Sequence, residues 1–385
     1  MKPKRSVIGV DARFYGEAGP GRYAKAIVEH LERVDKNNIY RVFLRDKGFS
    51  EYRPNNQNFQ KIRANYKWYS WEEQTLFLAL LLKEKLDLLY VPHFNIPVLY
   101  PGKIVTAIPD IIMHTYSTEK GTTLPKAYFR FKKVIYRLVV HWAVLRSKKV
   151  IVPSKAVVSD FMKVFRNITE DKYVLAYEGV DPVLLESNLK ADAVLRKYNI
   201  GKPYLIYISS MYEHKNVPRL IEAYEMLMED KSFEGQLVLV GKKDKFSEEI
   251  QRIVTNKKLD GKIIMPGMQN YVSDEELVLL RKEALGYVFP SLKEGFSLTP
   301  LEAQAVGLPC LISDIDVHRE IYADSVQYFD PGDVPDIRDK MREFVNNKSL
   351  REELVIKGRK TVEKYDWENT AWITYSTFQK YLSTE

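Results

Sequence analysis

Residues 285–314, LGYVFPSLKEGFSLTPLEAQAVGLPCLISD, constrain the fold more than any other stretch, because three kinds of local signal fall there in a fixed order. Residues 285–290 form a short apolar run of the kind buried as a strand. After a polar, glycine-bearing stretch, Thr299-Pro300-Leu301-Glu302 has the form of a helix start, with a hydroxyl cap, proline at the first helical position and glutamate three residues on. Gly307 stands where that helix would stop, Pro309 enforces the break, and residues 310–313 are apolar enough for the next strand. Strand, loop, helix and strand in this order build a parallel sheet.

The pattern recurs along the chain. Strands are expected at 6–10, 39–44, 86–91, 103–108 and 149–152, with 174–181 closing a first half, and at 204–209, 236–240 and 262–265 in a second. Helical spacing covers 23–34, 128–145, 155–165, a segment from about Val217, and 365–382, where Trp367, Ala371, Trp372, Tyr375 and Phe378 recur at helical intervals. Residues 51–60 are polar and read as a loop. Such alternation predicts an α/β fold of doubly wound parallel sheets, and 385 residues suffice for two domains of roughly 150 to 200 residues. The expected division is 1–181 and 182–365, with a linker near 182–203.

In sheets of this kind ligands bind beyond the carboxyl ends of the strands, where helix amino termini offer unpaired amides. The loop Lys293-Glu294-Gly295-Phe296-Ser297 lies in that position. Gly295 would admit a phosphate close to the backbone, and Glu294 supplies an anionic acceptor suited to hydroxyl groups. Glu302 follows eight residues later and could reach a second set of hydroxyls. Singly, a capping box explains Glu302 and a solvated loop charge explains Glu294. Together they fit a diphosphate flanked by two polyols, as in a nucleotide sugar.

The segment EGFSLTPLEAQAVGLP resembles the Glu-x7-Glu signature of the retaining family-4 glycosyltransferases. That resemblance implies a GT-B fold: two Rossmann-like doubly wound domains facing across a cleft, with a terminal helix, here 366–385, crossing back onto the first. It implies that Glu294 contacts the donor sugar and Glu302 the ribose, with Gly295, Phe296, Ser297 and Leu298 around the diphosphate. The segment from Ser209 to Asn216, SSMYEHKN, resembles the family's lysine-asparagine motif, whose lysine, here Lys215, binds the diphosphate. An arginine often found upstream is missing, with Ser209 and Ser210 in its region. By the same resemblance, the AGPGRY loop is expected to bring Gly21 and Arg22 near the donor phosphates and the acceptor. PGMQNYVSDEEL, with Tyr271, resembles the loop that holds the base, and Gly241 ends the expected strand 236–240.

One departure stands out. Many relatives have His-Asp where this chain has Pro109-Asp110, so the histidine's role is absent or taken by His93 or His114. Asp110 either orients the acceptor or caps the next turn. The expected catalytic groups are therefore Glu294, Lys215 and Asp110. Donor contacts fall to Gly21, Ser210, Lys215, Gly241, Tyr271, Glu294 to Leu298 and Glu302, and acceptor contacts to His93, His114 and Arg22.

The reaction expected is transfer of a hexose, with retention, to a hydroxyl of a glycan or lipid-linked glycan. No metal and no cofactor beyond the nucleotide sugar is expected, because Lys215 and the loop amides supply the charge. YEHKN and EGFSLTPLEAQ look most like bacterial mannosyltransferases that build surface polysaccharide, which favours GDP-mannose, with a UDP-sugar of the glucose type as the alternative. A nucleotide-sugar epimerase could share the fold but would need acidic and histidine groups set for proton abstraction, and Pro109 removes one.

Composition adds a partner. The formal charge is +8, and residues 120–156 hold ten lysines and arginines with no aspartate or glutamate. Such a stretch favours an anionic membrane surface or a lipid diphosphate, or is a solvated basic helix face. A nonenzymatic adaptor would use it alone, without two glutamates around a phosphate loop. No nucleic-acid module is present. The aromatic cluster Tyr66-Lys67-Trp68-Tyr69-Ser70-Trp71 suits core packing, sugar stacking or a membrane interface. Cys310 is the one cysteine, which excludes an intrachain disulfide and fits a reducing cytoplasm. The amino terminus carries no long apolar segment, and the apolar run 76–82 is too short to span a bilayer. A cytoplasmic protein is expected, touching the inner membrane face at most peripherally.

Overall fold

Continuous runs of Val, Ile, Leu and Tyr leave a strand with no polar face, so both sides must be covered, as in a parallel α/β sheet. The computed structural model describes residues 5–17, 19–116, 126–181 and 185–382. It holds two sheets of that kind in two compact units. The first unit is built from residues up to His114, Leu124–Glu178 and Asp366–Glu385, and the second chiefly from Gly179–Tyr365.

In the first unit β1 (Val7–Asp11), β2 (Ile39–Leu44), β3 (Phe59–Arg63), β4 (Leu88–Val91), β5 (Ile104–Ala107), β6 (Lys149–Val152) and β7 (Tyr173–Leu175) lie in the order 3-2-1-4-5-6-7. Every neighbouring pair is parallel. β4, LLYV, is buried at every residue, as its unbroken apolar sequence requires, and so is β5, IVTA, whose Thr106 hydroxyl lies 3.0 Å from that of Ser147. β3 begins inside the stretch expected to be a loop. Its sequence, FQKIR, is half exposed at the sheet edge, and the Lys61 ammonium donates to the carbonyls of Phe49 and Tyr52.

The terminal helix Trp367–Leu382 belongs to this first unit, where Ala371 and Phe378 join Ile27, Leu31 and Tyr90 in one core. Its buried face differs from the expected aromatic stripe, because Trp372 is 55% exposed while Thr370, Thr374 and Thr377 point inward. These threonines are tolerated because their hydroxyls donate to main-chain carbonyls, Thr370 to Tyr177, Thr374 to Thr370 and Thr377 to Ile373.

In the second unit β8 (Tyr204–Ile208), β9 (Gln236–Val240), β10 (Ile263–Ile264), β11 (Gly286–Phe289), β12 (Cys310–Ser313) and β13 (Gln327–Phe329) lie in the order 10-9-8-11-12-13, again all parallel. The stretch expected to be a linker contains a helix, Ala191–Lys197, anchored by Val194 and Leu195; residues 182–184 of that stretch lie outside the described residues. Cys310 is fully buried within β12, and burial pushes its thiol far above the ordinary range. Among the described residues no helix is long and apolar enough to cross a membrane.

Both strand orders reverse direction beside the first strand of their unit, between β1 and β4 and between β8 and β11. At such a switch point the connections leave toward opposite faces and open a crevice at the carboxyl ends of the strands.

Candidate active site

In the second unit the switch point brings two chain segments together. After β8 the chain makes a single 3-10 turn, Glu213–Lys215, and Asn216 then takes the left-handed conformation (φ 59°) before the helix Val217–Glu229. Asn216 is pinned there because its side-chain amide donates to the carbonyls of Pro290 (3.1 Å) and Pro331 (2.8 Å). The Leu292 amide donates to the His214 carbonyl at 2.8 Å, which ties the loop after β11 to the turn after β8.

This register places the Lys215 ammonium 2.5 Å from Glu294 Oε1, across 79 positions of sequence. The Ser291 hydroxyl donates to the same oxygen at 2.5 Å, and Phe289 lies under the ammonium at 5.1 Å. The pair is buried, with about a tenth of each side chain exposed. Burial pushes the Glu294 carboxyl up, but Lys215 and the Ser291 hydroxyl outweigh it and hold the group below the usual carboxylate range. Glu294 is an anion whose countercharge is one lysine.

The loop behind the pair is fixed by His318. Its Nδ1 lies 2.7 Å from the Ser313 carbonyl, which can only accept, so Nδ1 carries the proton. Nε2 then accepts from the Ser297 hydroxyl at 2.8 Å. Burial pushes His318 down to about 4, so the ring is neutral. Ser297 is left-handed (φ 71°), a conformation unusual for a non-glycine residue, and Tyr322 donates to its carbonyl. Held this way, Ser297 starts the helix Leu298–Ala305.

The expected cap is thereby corrected. Thr299 lies inside the helix, and its hydroxyl is 2.9 Å from that of Tyr287, so the capping box at 299–302 does not form. Glu302 is instead paired with Arg281 at 2.5 Å, both almost fully buried. Sequence reasoning missed Arg281, since nothing local in the helix Asp274–Lys282 marks it as a partner 21 positions away.

The other second-unit candidates divide by which part of the residue is available. Phe296 turns its ring into the core against Tyr365, so only its main chain is offered to the loop; Gly295 is likewise buried, and Leu298 is half-buried. A side chain on Gly241 would meet the Ser209 carbonyl at 2.8 Å, so this glycine is required by close packing of two loops. Ser210 accepts from Tyr207 at its carbonyl, and Tyr271 stands 85% exposed. Asp314-Ile315-Asp316 is an Asp-x-Asp run, a pattern associated with divalent ions, but here Asp314 is held by Arg319 through two bonds of 2.6 Å.

The candidates of the first unit lie around β1, β4 and β5. His93, after β4, is sandwiched by Phe14 and Phe94 and 7% exposed, and burial lowers it to about 4. His114 packs on Tyr136, lowered by burial and by Arg137. Asp110 accepts from the Ile112 amide at 2.8 Å, which is the turn-capping geometry. Gly21 and Arg22 fall in the first turn of a helix that begins at Pro20, not in the loop expected for them; a side chain at Gly21 would strike the Phe14 carbonyl at 2.2 Å. Glu178 was not anticipated: burial pushes its carboxyl up to about 7, opposed by Arg22 and reinforced by Asp110.

β1 also leads into a cation. Arg13 is buried and grips Asp11 through Nε (2.8 Å) and Nη2 (2.7 Å) and Glu73 through Nη2 (2.6 Å), while Asn95 donates to Glu73 at 2.7 Å. Within the nearby aromatic cluster the half-buried Trp68 stacks on Phe14 at 3.8 Å and Tyr66 packs against a core, whereas Tyr69 and Trp71 are exposed.

Residues 192–361 match the family described as Glycosyl transferases group 1. O-antigen chain mannosyltransferase B of Escherichia coli is 30% identical over 187 residues, 48% of this chain and 48% of that protein, so the likeness takes in about half of its length. O-antigen chain mannosyltransferase RfbU of Salmonella typhimurium is 24% identical over 302 residues, 78% of this chain and 76% of the relative. Among solved structures, sucrose-phosphate synthase of Thermosynechococcus elongatus superposes with a TM-score of 0.74 at 17% identity, covering 98% of this chain and 99% of that one. That level of identity speaks to the fold.

Proposed function

We propose, from the match of residues 192–361 to the group 1 glycosyl transferases, that this chain transfers a mannosyl residue from GDP-mannose to a hydroxyl of a glycan, with retention at the anomeric carbon. The observation that carries the reading is the buried Lys215–Glu294 pair at the second switch point. Mannose is favoured by the two relatives, both named as mannosyltransferases.

In this reading the donor diphosphate takes over the Lys215 ammonium, and Glu294, freed from it, accepts from sugar hydroxyls and fixes the reacting carbon. Heterolysis of the bond between the anomeric carbon and the diphosphate oxygen leaves the electron pair on the diphosphate. Lys215 and the main-chain amides from Gly295 to Leu298 stabilise that developing charge, and no divalent ion is required of them. The acceptor oxygen bonds to the anomeric carbon on the face the leaving group vacates, and its proton passes to the departing diphosphate. Glu302, steadied by Arg281, would hold the ribose. Asp110, Arg22, His93 and His114 of the first unit are proposed to orient the acceptor, with Asp110 or Glu178 nearest in chemistry to the function of the histidine that Pro109 replaces. The acceptor would be a lipid-linked glycan at the inner face of a cell membrane.

Nucleoside diphosphate release from a panel of GDP- and UDP-sugars, in the presence of chelator, tests this. GDP-mannose should give the highest kcat/KM. Activity confined to UDP-sugars would remove the donor assignment, and strict dependence on added metal would remove the role given to Lys215.

A further inference from the structure

The 21-residue helix Lys126–Arg146 is apolar on two opposite sides. Its inner side buries Val140, Ala143 and Val144 in the cores formed with β5 and β6. On the outer side Phe131, Val134, Ile135, Leu138, Trp142 and Leu145 are between 40% and 60% exposed. At 3.6 residues per turn these six side chains fall within an arc of about 100°, directly away from the packed side. A helix on the surface of a globular domain needs one apolar stripe, so the second one has no role in the packing of the unit.

The surroundings extend the stripe. Trp142 donates from Nε1 to the Val98 carbonyl at 3.0 Å, and the Val98 amide donates to Gln74 at 2.8 Å. Leu99, which is 70% exposed, therefore stands beside the stripe. Lys132 borders the stripe on one edge and Arg137 and His141 on the other, within the stretch 120–156 that contains no acidic residue. Residues 120–125 of that stretch lie outside the described residues.

We infer that the outer face of this helix is a docking surface for an anionic lipid bilayer, with the helix lying in the plane of the headgroups. Apolar side chains enter the boundary of the acyl chains while the basic edges meet lipid phosphates. A tryptophan whose N–H is already bonded is well suited to that boundary. The same charge disfavours a second copy of the chain as the occupant, because a two-fold contact through this stripe would set like edges against each other with no acidic residue on the helix to offset them. The inference stands apart from the transfer reading, since it requires no donor.

Sedimentation of the full chain with vesicles of mixed phosphatidylglycerol and phosphatidylcholine, without nucleotide sugar, is the test. The protein should sediment with mixed vesicles and not with phosphatidylcholine alone. Leu138→Glu combined with Phe131→Ser should lower the partition coefficient by about tenfold or more with an unchanged melting curve. Lys132→Gln combined with Arg137→Gln should lower it several-fold, as should added salt. No binding by the unmodified chain would overturn the inference, and so would loss in the charge variant alone. A concentration-dependent dimer abolished by Leu138→Glu, without vesicle binding, would give the face to a second copy.

Discussion

The first strand of each unit leads into a buried cation, and the two cations are held in opposite ways. Arg13, beyond β1, is gripped by both oxygens of Asp11, by Glu73 and by the Tyr66 carbonyl, and Glu73 is in turn bound by Asn95. Lys215, beyond β8, has Glu294 as its one ion-pair partner among the described residues and sits on a short turn. An arginine whose fork is filled by carboxylates has nothing left for a ligand, whereas an ammonium facing one carboxylate can exchange it for phosphate oxygens at small cost. Both cations follow the first strand of a parallel sheet, and the closed cluster around Arg13 suits stability, whereas the single pairing of Lys215 is what the proposed donor role requires.

The largest effect on stability should follow from breaking the first of these. Arg13→Met leaves Asp11 and Glu73 buried without a countercharge and should cost about 3–5 kcal/mol in denaturant unfolding. Lys215→Met should cost about 1–2 kcal/mol, because Glu294 keeps the Ser291 hydroxyl and can take up a proton. Equal losses would erase the contrast.

A smaller effect separates the units by pH. His93 in the first unit and His214 and His318 in the second are each lowered to about 4, chiefly by burial. The unfolded chain takes up a proton near the ordinary value of about 6.5 and the folded chain does not. Each histidine therefore contributes stability that is complete above about 6.5 and falls by about 1.4 kcal/mol per pH unit down to about 4, below which it is constant. His318→Gln should flatten the profile of unfolding free energy against pH by one such slope, and an unchanged slope would show that the ring is not held neutral. The smallest effect belongs to the terminal helix. Trp372→Ser should change stability by no more than about 0.5 kcal/mol, against about 3–5 for Phe378→Ala, measured in the same unfolding series.

What could be read from the sequence follows the range of the forces involved. β2, β6, β9 and β12 lie at their expected bounds because buried parallel strands are continuous apolar runs between charged or glycine-bearing stretches. β3 escaped because FQKIR sits at an edge and carries polar side chains, and the cap at Ser297 escaped because a left-handed serine gives no compositional signal. Within the candidate site, Glu294, Lys215 and Glu302 stood out through local patterns. Their partners are another matter: the salt bridges from Glu302 to Arg281 and from Arg13 to Glu73 join residues 21 and 60 positions apart, and only the folded sheet brings them together. The threonines buried in the terminal helix were hidden for a related reason, since their hydroxyls are satisfied by carbonyls that no hydropathy pattern reveals.

The central claim is that the carboxylate paired with Lys215 handles the donor sugar. Its most direct test is mannosyl transfer from GDP-mannose by the Glu294→Ala variant, with the melting temperature followed in parallel. A fall in kcat of about a hundredfold or more, with the fold retained, is the result predicted. Turnover at the rate of the unmodified chain would contradict it.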